Sequence, residues 1–299
     1  MSVSPAREAW AFHRLRTARV LARDGASSLL GSVRERRRLA HVERYVMFAG
    51  YPRSGHSLIG SLLNAHPDVV VAHELDALRY AQARFSRAQL LYLLLERDRE
   101  FEAVHDRAPG RYDYRVPGQW QGRVRTLRVL GDKKGGATSG RLARSPELLE
   151  RLRATVRMPL RIVHVTRSPF DNIAAIHRME ARRKGFSLER SADFYFELAQ
   201  ANAALEARVA PEEWLELSHE DLVDSPEPVL RRLCGFLGVD PEEHYVRDCA
   251  AIVYPSVHRT RDDAPWTTEL IEDVRRRARG YPFLADYAED AWAPAEARA

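Results

Sequence analysis

Lysine, cysteine and long apolar runs are all scarce in this sequence. Only three of its 47 basic residues are lysines, and the nearly exclusive use of Arg is typical of a GC-rich, bacterial genome. Two cysteines, Cys234 and Cys249, are too few for a disulfide framework or a cysteine-based metal site. No run reaches the roughly 18 apolar residues of a membrane-spanning helix. Because arginines also interrupt any secretory signal within residues 1–40, we expect a cytoplasmic protein.

The net charge of +5 is unevenly distributed along the chain. Residues 1–44 contain ten arginines and four acidic residues, whereas the remaining residues contain 37 basic and 38 acidic side chains. A balanced body of this kind lacks the basic face of a nucleic-acid-binding protein, so no nucleic-acid partner is predicted. The Arg-rich segment would suit an anionic membrane or an acidic partner. A solvated surface helix explains it more simply and is the preferred interpretation.

Short apolar runs alternate with helical patterns from residue 44 onwards. Strands are predicted within 44–50, 68–74, 126–134, 160–169 and 214–222, and the third of them is predicted to run into a glycine-rich turn. Helices are predicted over 57–67, 87–101, 145–156, 169–183, 190–208, 226–238 and 267–279. This alternation predicts an α/β domain with a parallel sheet covered by helices on both faces. Residues 6–40 are predicted to form a separate helix in which Gly25 is a candidate break, and 105–122 a long loop.

The segment FAGYPRSGHS at residues 48–57 is close to a phosphate-binding P-loop. Gly50 and Gly55 have the G-x-x-x-x-G spacing and Ser57 follows, but His56 replaces the expected Lys. A glycine-bounded turn between a strand and a helix directs backbone N–H groups and the helix dipole at an anion. Arg53 adds a guanidinium within the turn. The segment therefore predicts a phosphate-binding loop.

The same region argues against a metal-dependent triphosphatase. The Lys that bridges the terminal phosphates is absent, and the strand RIVHV ends in Thr166 and Arg167 where a magnesium-binding Asp would be expected. A cation at this position favours a ligand with further anionic groups and no metal. A degenerate P-loop kinase or triphosphatase remains an alternative, as does a non-catalytic nucleotide-binding module.

Four segments together resemble the sulfotransferases that use 3′-phosphoadenosine 5′-phosphosulfate (PAPS): YPRSGHSLIGSLLNAHP, GDKK, VTRSPFDN and SHEDLVDSPEPVLRRLCGFLG. The resemblance covers about residues 44–290, which leaves an Arg-rich helical extension at 1–43 and a tail at 291–299. It implies a three-layer P-loop-like α/β domain with a central, mostly parallel sheet flanked by helices. It also implies metal-independent transfer of a sulfuryl group from PAPS to a hydroxyl of a small molecule, lipid or glycan.

The resemblance assigns donor-binding roles to individual positions. Arg167 matches the arginine that holds the 3′-phosphate, but Ala175 stands where the family commonly has a serine, and Ser168 or Asn172 would have to replace it. A closing loop implies phosphate contacts from Arg259 and Arg261. Six consecutive residues of the first loop are implied to bind the 5′-phosphosulfate: Arg53, Ser54, Gly55, His56, Ser57 and Leu58.

Two replacements within these motifs concern histidines. His56 stands where the family usually has Thr, and a neutral His can still donate one hydrogen bond to the donor. His219 replaces a Tyr in a Y-E-D-L segment, where it would either contact the adenine or, as we prefer, pack at the end of a strand.

Sulfuryl transfer needs a cation at the leaving phosphate oxygen and a base for the acceptor hydroxyl. Lys133 matches the position of a catalytic lysine, and its scarcity in this chain supports that role; Lys134 is the second choice. Glu74 matches a catalytic glutamate of the similar tyrosylprotein and some glycan sulfotransferases. His73 and Asp132 are rival bases, but strand alternation directs His73 and Glu74 to opposite faces.

Overall fold

The computed structural model describes residues 5–105, 114–180, 186–254 and 259–289, with side chains from residue 17 onwards. The predicted tail at 291–299, residues 106–113 of the predicted loop at 105–122 and part of the closing loop therefore lie outside the described residues. Among the described residues, no helix is both long and apolar enough to cross a membrane.

The secondary structure consists of five strands and fourteen α-helices within the described ranges. The strands are β1 (Arg44–Gly50), β2 (Val69–His73), β3 (Val129–Lys133), β4 (Leu160–Thr166) and β5 (Trp214–Ser218). The first seven helices are α1 (Pro5–Arg34), α2 (Arg36–Leu39), α3 (His56–Asn64), α4 (Ala77–Gln82), α5 (Arg87–His105), α6 (Gly136–Arg144) and α7 (Leu148–Val156). The others are α8 (Pro169–Glu180), α9 (Leu188–Glu206), α10 (His219–Asp224), α11 (Pro226–Leu237), α12 (Glu243–Ala251), α13 (Thr268–Ala278) and α14 (Ala285–Ala288).

The five strands form one parallel sheet in the order β2-β3-β1-β4-β5. The central strand β1 is almost entirely buried because helices cover both faces of the sheet. One apolar cluster packs α4, α5 and α7 on one face, and another packs α3, α11 and α12 on the other. The predicted α/β architecture is therefore confirmed. All five strands end at the same edge of the sheet, where ligands bind in parallel α/β folds.

The N-terminal helix differs from the prediction, because α1 continues through Gly25 without a break. The helix packs along α5 rather than standing apart from the domain. The amide of Gln89 donates to the Gly25 carbonyl and to Ser28, and Glu35 forms an ion pair with Arg99. These contacts stabilise a long helix that local propensity alone would leave marginal.

A helix, α6, replaces the glycine-rich turn predicted after residue 134. A side chain at Gly136 would place its Cβ 2.6 Å from the Cδ of Pro52, in the predicted phosphate loop. Glycine is needed here because α6 approaches that loop closely. The prediction of a turn was therefore wrong, because these glycines serve close packing against the loop.

Candidate active site

The predicted phosphate loop connects β1 to the buried N-terminus of α3. Two of its residues have positive φ angles, Arg53 at 69° and Gly55 at 95°. A Cβ at Gly55 would lie 2.4 Å from Cδ2 of His219, so glycine suits both the backbone conformation and the contact. The loop and the first turn of α3 carry the backbone N–H groups that a helix start leaves without intrahelical partners. The strand, loop and helix thus follow one another as predicted, and anion binding by the loop stays a prediction.

Side chains of neighbouring elements form hydrogen bonds with the backbone of this loop. Asn172 of α8 donates to the Pro52 carbonyl over 2.5 Å, and Ser139 of α6 accepts from the Gly50 N–H over 3.0 Å. Arg167, which follows β4, donates to the Arg53 carbonyl over 3.3 Å. The loop is therefore fixed by groups from three elements. Ser139 has no counterpart among the predicted site residues, because nothing in its local sequence distinguishes it.

The imidazole of His56 is turned into the protein. Its Nε2 lies 3.1 Å from the Ala49 carbonyl oxygen and its Nδ1 lies 3.0 Å from the Ser54 hydroxyl. Burial lowers the pKa of His56 to about 4, so the ring is neutral at pH 7. A neutral ring has a single N–H, which the Ala49 carbonyl accepts. His56 therefore supports the loop with its ring, and the group it presents at the start of α3 is its backbone N–H.

Lys133 and Glu74 meet at the ends of β3 and β2. The Lys133 ammonium lies 3.3 Å from Glu74 Oε1 and 3.2 Å from the Ser57 hydroxyl, and Lys134 lies 3.8 Å from Glu74 Oε2. The Lys133 side chain is 5% exposed, whereas that of Glu74 is 48% exposed. The buried cation therefore lies between the phosphate loop and a carboxylate that solvent still reaches.

Charge and burial act in opposite directions on this pair. Burial lowers the pKa of Lys133, although Glu74 opposes the shift. Burial by itself would raise the pKa of Glu74, but the ammonium groups of Lys133 and Lys134 outweigh it and the net pKa is lowered. Glu74 is consequently ionised at neutral pH, as a base requires.

A sharp turn after β2 positions Glu74. The strand ends at His73, and Glu74 and Asp76 have positive φ angles of 60° and 68°. The buried carboxylate of Asp132 accepts from the N–H groups of Leu75 and Ala77 over 2.9 and 2.8 Å. Because Glu74 lies outside the strand, the alternation argument used in the sequence analysis does not apply to it.

The two predicted rivals of Glu74 have different surroundings: His73 lines the cleft, whereas Asp132 does not. Both carboxylate oxygens of Asp132 accept backbone N–H groups, and burial raises its pKa to about 6. The ring of His73 stacks on Phe101 with the ring centroids 3.8 Å apart. Asp132 was predicted only as a rival base, but its carboxylate supports the turn that carries Glu74. Its position directly after residues 129–131 of a buried strand could have indicated this role.

Arg261 has a different environment from the one expected of a phosphate contact. Its guanidinium donates to the buried carboxylate of Asp171 over 2.6 Å and to the Ser168 hydroxyl over 2.8 Å. The Asp171 carboxylate also accepts from the Arg261 backbone N–H over 2.9 Å. Both residues proposed to replace the serine contact therefore bond to other groups of the protein. Ser168 accepts from Arg261, and Asn172 donates to the Pro52 carbonyl of the loop. Arg259 is exposed and adjoins residues 255–258, which lie outside the described residues.

Eight of the eleven predicted site residues line one cleft of about 1270 Å³ at the C-terminal edge of the sheet. Ser54, Arg259 and Arg261 are not in its wall, whereas Ala175, Lys134 and His219 are. Among the described residues, no group of His, Cys, Asp or Glu is placed to hold a metal ion. Eight predicted site residues line the cleft: Arg53, Gly55, His56, Ser57, Leu58, Glu74, Lys133 and Arg167.

Comparison with known proteins identifies the family. The sequence model described as the sulfotransferase family matches residues 46–243 of the 299 residues. The chain belongs to the sulfotransferase family. This match includes the phosphate loop, Glu74, Lys133 and Arg167, and it confirms the resemblance drawn from the four motifs. No curated protein sequence matches the chain significantly.

Several solved sulfotransferase structures match the chain at low sequence identity. The sulfotransferase domain from the curacin biosynthetic pathway is 19% identical, and the match covers 81% of this chain and 99% of that domain with a TM-score of 0.50. A sulfotransferase from Alicyclobacillus acidocaldarius is 17% identical over 82% of this chain and 93% of its own, with a TM-score of 0.44. Mouse sulfotransferase SULT7A1 complexed with PAP is 11% identical over 84% and 89%, with a TM-score of 0.46. The first of these supports the sulfotransferase fold.

Proposed function

We propose that this sulfotransferase moves a sulfuryl group from PAPS to an acceptor hydroxyl without a metal ion. The observation that supports this most strongly is the buried Lys133 ammonium, held within 3.3 Å of Glu74 and 3.2 Å of Ser57. One cation therefore lies beside both a phosphate-binding loop and an ionised carboxylate. In-line group transfer requires this combination of a positioned cation and a base.

The charges that line the cleft support PAPS as the donor. Arg53, Lys133, Lys134 and Arg167 line it, and the Glu74 carboxylate lies at hydrogen-bonding or ion-pair distance from both lysines. The backbone N–H groups of the loop and of the first turn of α3 would donate to the phosphosulfate. We assign the 5′-phosphosulfate to the loop and Lys133, and the 3′-phosphate to Arg167. PAPS would supply an activated sulfuryl group bonded to a phosphate oxygen.

The transfer step uses two side chains of this chain. Glu74 removes the proton of the acceptor hydroxyl as that oxygen forms its bond to sulfur. Lys133 stabilises the negative charge on the phosphate oxygen as the sulfur–oxygen bond of the donor breaks. The products are a sulfate ester, a protonated Glu74 that returns its proton to solvent, and 3′-phosphoadenosine 5′-phosphate (PAP). Glu74 is exposed enough for both the acceptor and water to reach it.

The other predicted contacts are assigned according to their partners. The ring of His56 and the guanidinium of Arg261 support the site from within the protein, whereas Arg259 stays a proposed phosphate contact. The acceptor is a hydroxyl of a small molecule, lipid or glycan, admitted beside Glu74. The N-terminal boundary of the catalytic unit is proposed at residue 44.

A thermal-shift comparison of nucleotides tests this proposal. PAP should raise the melting temperature in the absence of magnesium, because a ligand that binds the folded state stabilises it by mass action. ATP with Mg²⁺ should have a much smaller effect. Stabilisation by ATP and Mg²⁺ together with ATP turnover would instead indicate a degenerate triphosphatase or kinase. Binding of PAP without PAPS consumption across a panel of hydroxyl acceptors would indicate a binding module.

A further inference from the structure

The outer face of α1 and α2 has an unusual composition for a surface helix. Surface helices normally bury their apolar side and present polar residues to solvent. Among the described residues only seven large apolar side chains are exposed, and three of them lie within five positions of α1. Leu29, Leu30 and Val33 are 61%, 69% and 72% exposed. The helix therefore has apolar residues on both sides: one side packs on α5 and the other faces solvent.

These residues form a continuous stripe bordered by arginines. At 100° per residue, Ala22, Ala26, Leu29 and Val33 fall on one exposed arc of the helix, and Leu30 borders it. We define the Arg-apolar face as these apolar residues together with five exposed arginines: Arg19, Arg23, Arg34, Arg36 and Arg37. Arg19 and Arg37 lie at its two ends, and Arg23 and Arg34 lie along one side.

The nearby acidic residues neutralise only part of this face. Between residues 18 and 41 the sequence contains two acids, Asp24 and Glu35. Asp24 is buried, where it accepts from Tyr80 and pairs with Arg23, and Glu35 pairs with Arg99 of α5. The remaining arginines of the face have no acidic side chain within ion-pairing distance among the described residues. The face is consequently apolar and strongly cationic at once.

Charge complementarity decides what can cover such a face. A second copy of the chain would place five arginines against five arginines, which is unfavourable. An anionic lipid surface satisfies both features, because apolar side chains enter the boundary of the acyl region while arginines remain among the headgroups. We propose that the Arg-apolar face binds an anionic lipid surface. This proposal concerns the N-terminal helices and does not depend on the reaction catalysed in the cleft.

Vesicle sedimentation with the full-length chain tests the proposal. Binding to vesicles of phosphatidylcholine and phosphatidylglycerol should exceed binding to phosphatidylcholine alone, and added salt should weaken it. A variant with Arg34→Gln, Arg36→Gln and Arg37→Gln should lose at least about tenfold in partition coefficient, since each arginine near an anionic surface contributes roughly fivefold. A variant with Leu29→Gln, Leu30→Gln and Val33→Gln should also lose at least about tenfold, since it removes apolar area that the bilayer would bury.

Matched controls keep the test specific to this face. Arg151→Gln, Arg208→Gln and Arg232→Gln remove three exposed arginines elsewhere, and Val104→Gln with Phe194→Gln remove exposed apolar residues elsewhere. Both controls should bind vesicles like the parent protein, and all variants should keep its melting temperature. Equal binding to the two kinds of vesicle, or unchanged binding by either variant of the face, would overturn the proposal. Capture of an acidic protein without vesicle binding would overturn it as well.

Discussion

Lys133 on the β3 side of the cleft and Arg261 on the β4 side are both buried cations paired with a carboxylate. The partner of Lys133 is half exposed and lines the cleft, whereas the partner of Arg261, Asp171, is fully buried. Lys133 also contacts the phosphate loop through Ser57, whereas Arg261 contacts Ser168 behind the cleft wall. A cation whose partner reaches solvent can exchange that partner for a ligand. A cation paired with a buried acid cannot do so without leaving a charge unpaired.

Replacement of Arg261 should have the largest effect on stability. Arg261→Ala would leave the buried Asp171 without its partner and should lower the free energy of unfolding by about 3–5 kcal/mol. Denaturant melts of the free protein measure this. Arg279→Ala, which removes one member of the exposed Arg279–Glu289 pair, should cost less than about 1 kcal/mol. Near-parental stability of Arg261→Ala with weakened PAP binding would show that Arg261 is a phosphate contact after all.

Replacement of Lys133 should have the largest effect on turnover. Lys133→Ala should lower kcat by about 100- to 1000-fold, because loss of one preorganised group at developing charge has that cost. PAP binding, measured by calorimetry, should change far less. Lys134→Ala, which removes the more distant ammonium at 3.8 Å from Glu74, should retain most activity. Unchanged turnover of Lys133→Ala would remove Lys133 from the proposed mechanism.

Asp132 holds the turn that carries Glu74. Replacement of Asp132 should therefore lower activity by displacing Glu74. In Asp132→Asn only one oxygen remains to accept the N–H groups of Leu75 and Ala77, so the turn that carries Glu74 should loosen. We expect kcat to fall by up to about 100-fold, a typical cost of misplacing a catalytic group. PAP affinity should be retained.

A double-mutant comparison separates this positioning role from general damage. In a protein that already carries Glu74→Gln, Asp132→Asn should lower kcat little further, because the base is no longer there to misplace. Asp24→Asn, a change at another buried carboxylate, should leave kcat near the parental value. Multiplicative losses in the double variant would contradict a role through Glu74.

Arg167 provides a direct contrast with Arg261, because it lines the cleft. Arg167→Ala should weaken PAP binding by about 10- to 100-fold, as expected for lost charge-assisted hydrogen bonds. Binding of adenosine 5′-phosphate, which lacks the 3′-phosphate, should weaken much less. Arg178→Ala, at another arginine of the cleft wall, is the matched control. An equal loss for both nucleotides would place Arg167 away from the 3′-phosphate.

The pH dependence of turnover should show the smallest of these effects. As the pH increases, activity should first rise when Glu74 ionises, at a pH below the ordinary glutamate pKa of 4.5. At high pH it should fall when Lys133 loses its proton, at a pH below the ordinary lysine pKa of 10.5. Lys134→Ala removes one group that lowers the pKa of Glu74, so the acidic limb should move upward towards 4.5. A pH profile of kcat for both proteins measures the shift; a downward displacement of that limb would contradict the pairing.

Much of the fold could be predicted from local patterns. Strand β1 ends at Gly50 as predicted, and β4, predicted within 160–169, ends at Thr166. Helix α11 ends at Leu237, and Gly238 caps it as the sequence indicates. The α6 helix was missed because glycines that serve close packing resemble glycines of a turn. The α4 and α12 helices, at six and nine residues, were too short to give a clear periodic signal.

The sequence indicated which residues of the candidate site to expect, but not which groups their side chains contact. The sequence identified the loop, Glu74, Lys133 and Arg167, which line one cleft. It did not show that the His56 ring bonds Ala49 and Ser54, or that Arg261 pairs with Asp171. Both facts depend on which polar groups burial brings together, and a motif records only which residue types are present.

The sequence by itself determined the order of strands and helices, the glycine spacing of the phosphate loop and the scarcity of lysine, because each is a property of neighbouring residues. Only the tertiary structure decided how the charges are paired. Lys133 and Glu74 are 59 positions apart, and Arg261 and Asp171 are 90 positions apart. Electrostatic interaction depends on distance in space and on exposure to water, and neither can be obtained from distance along the chain.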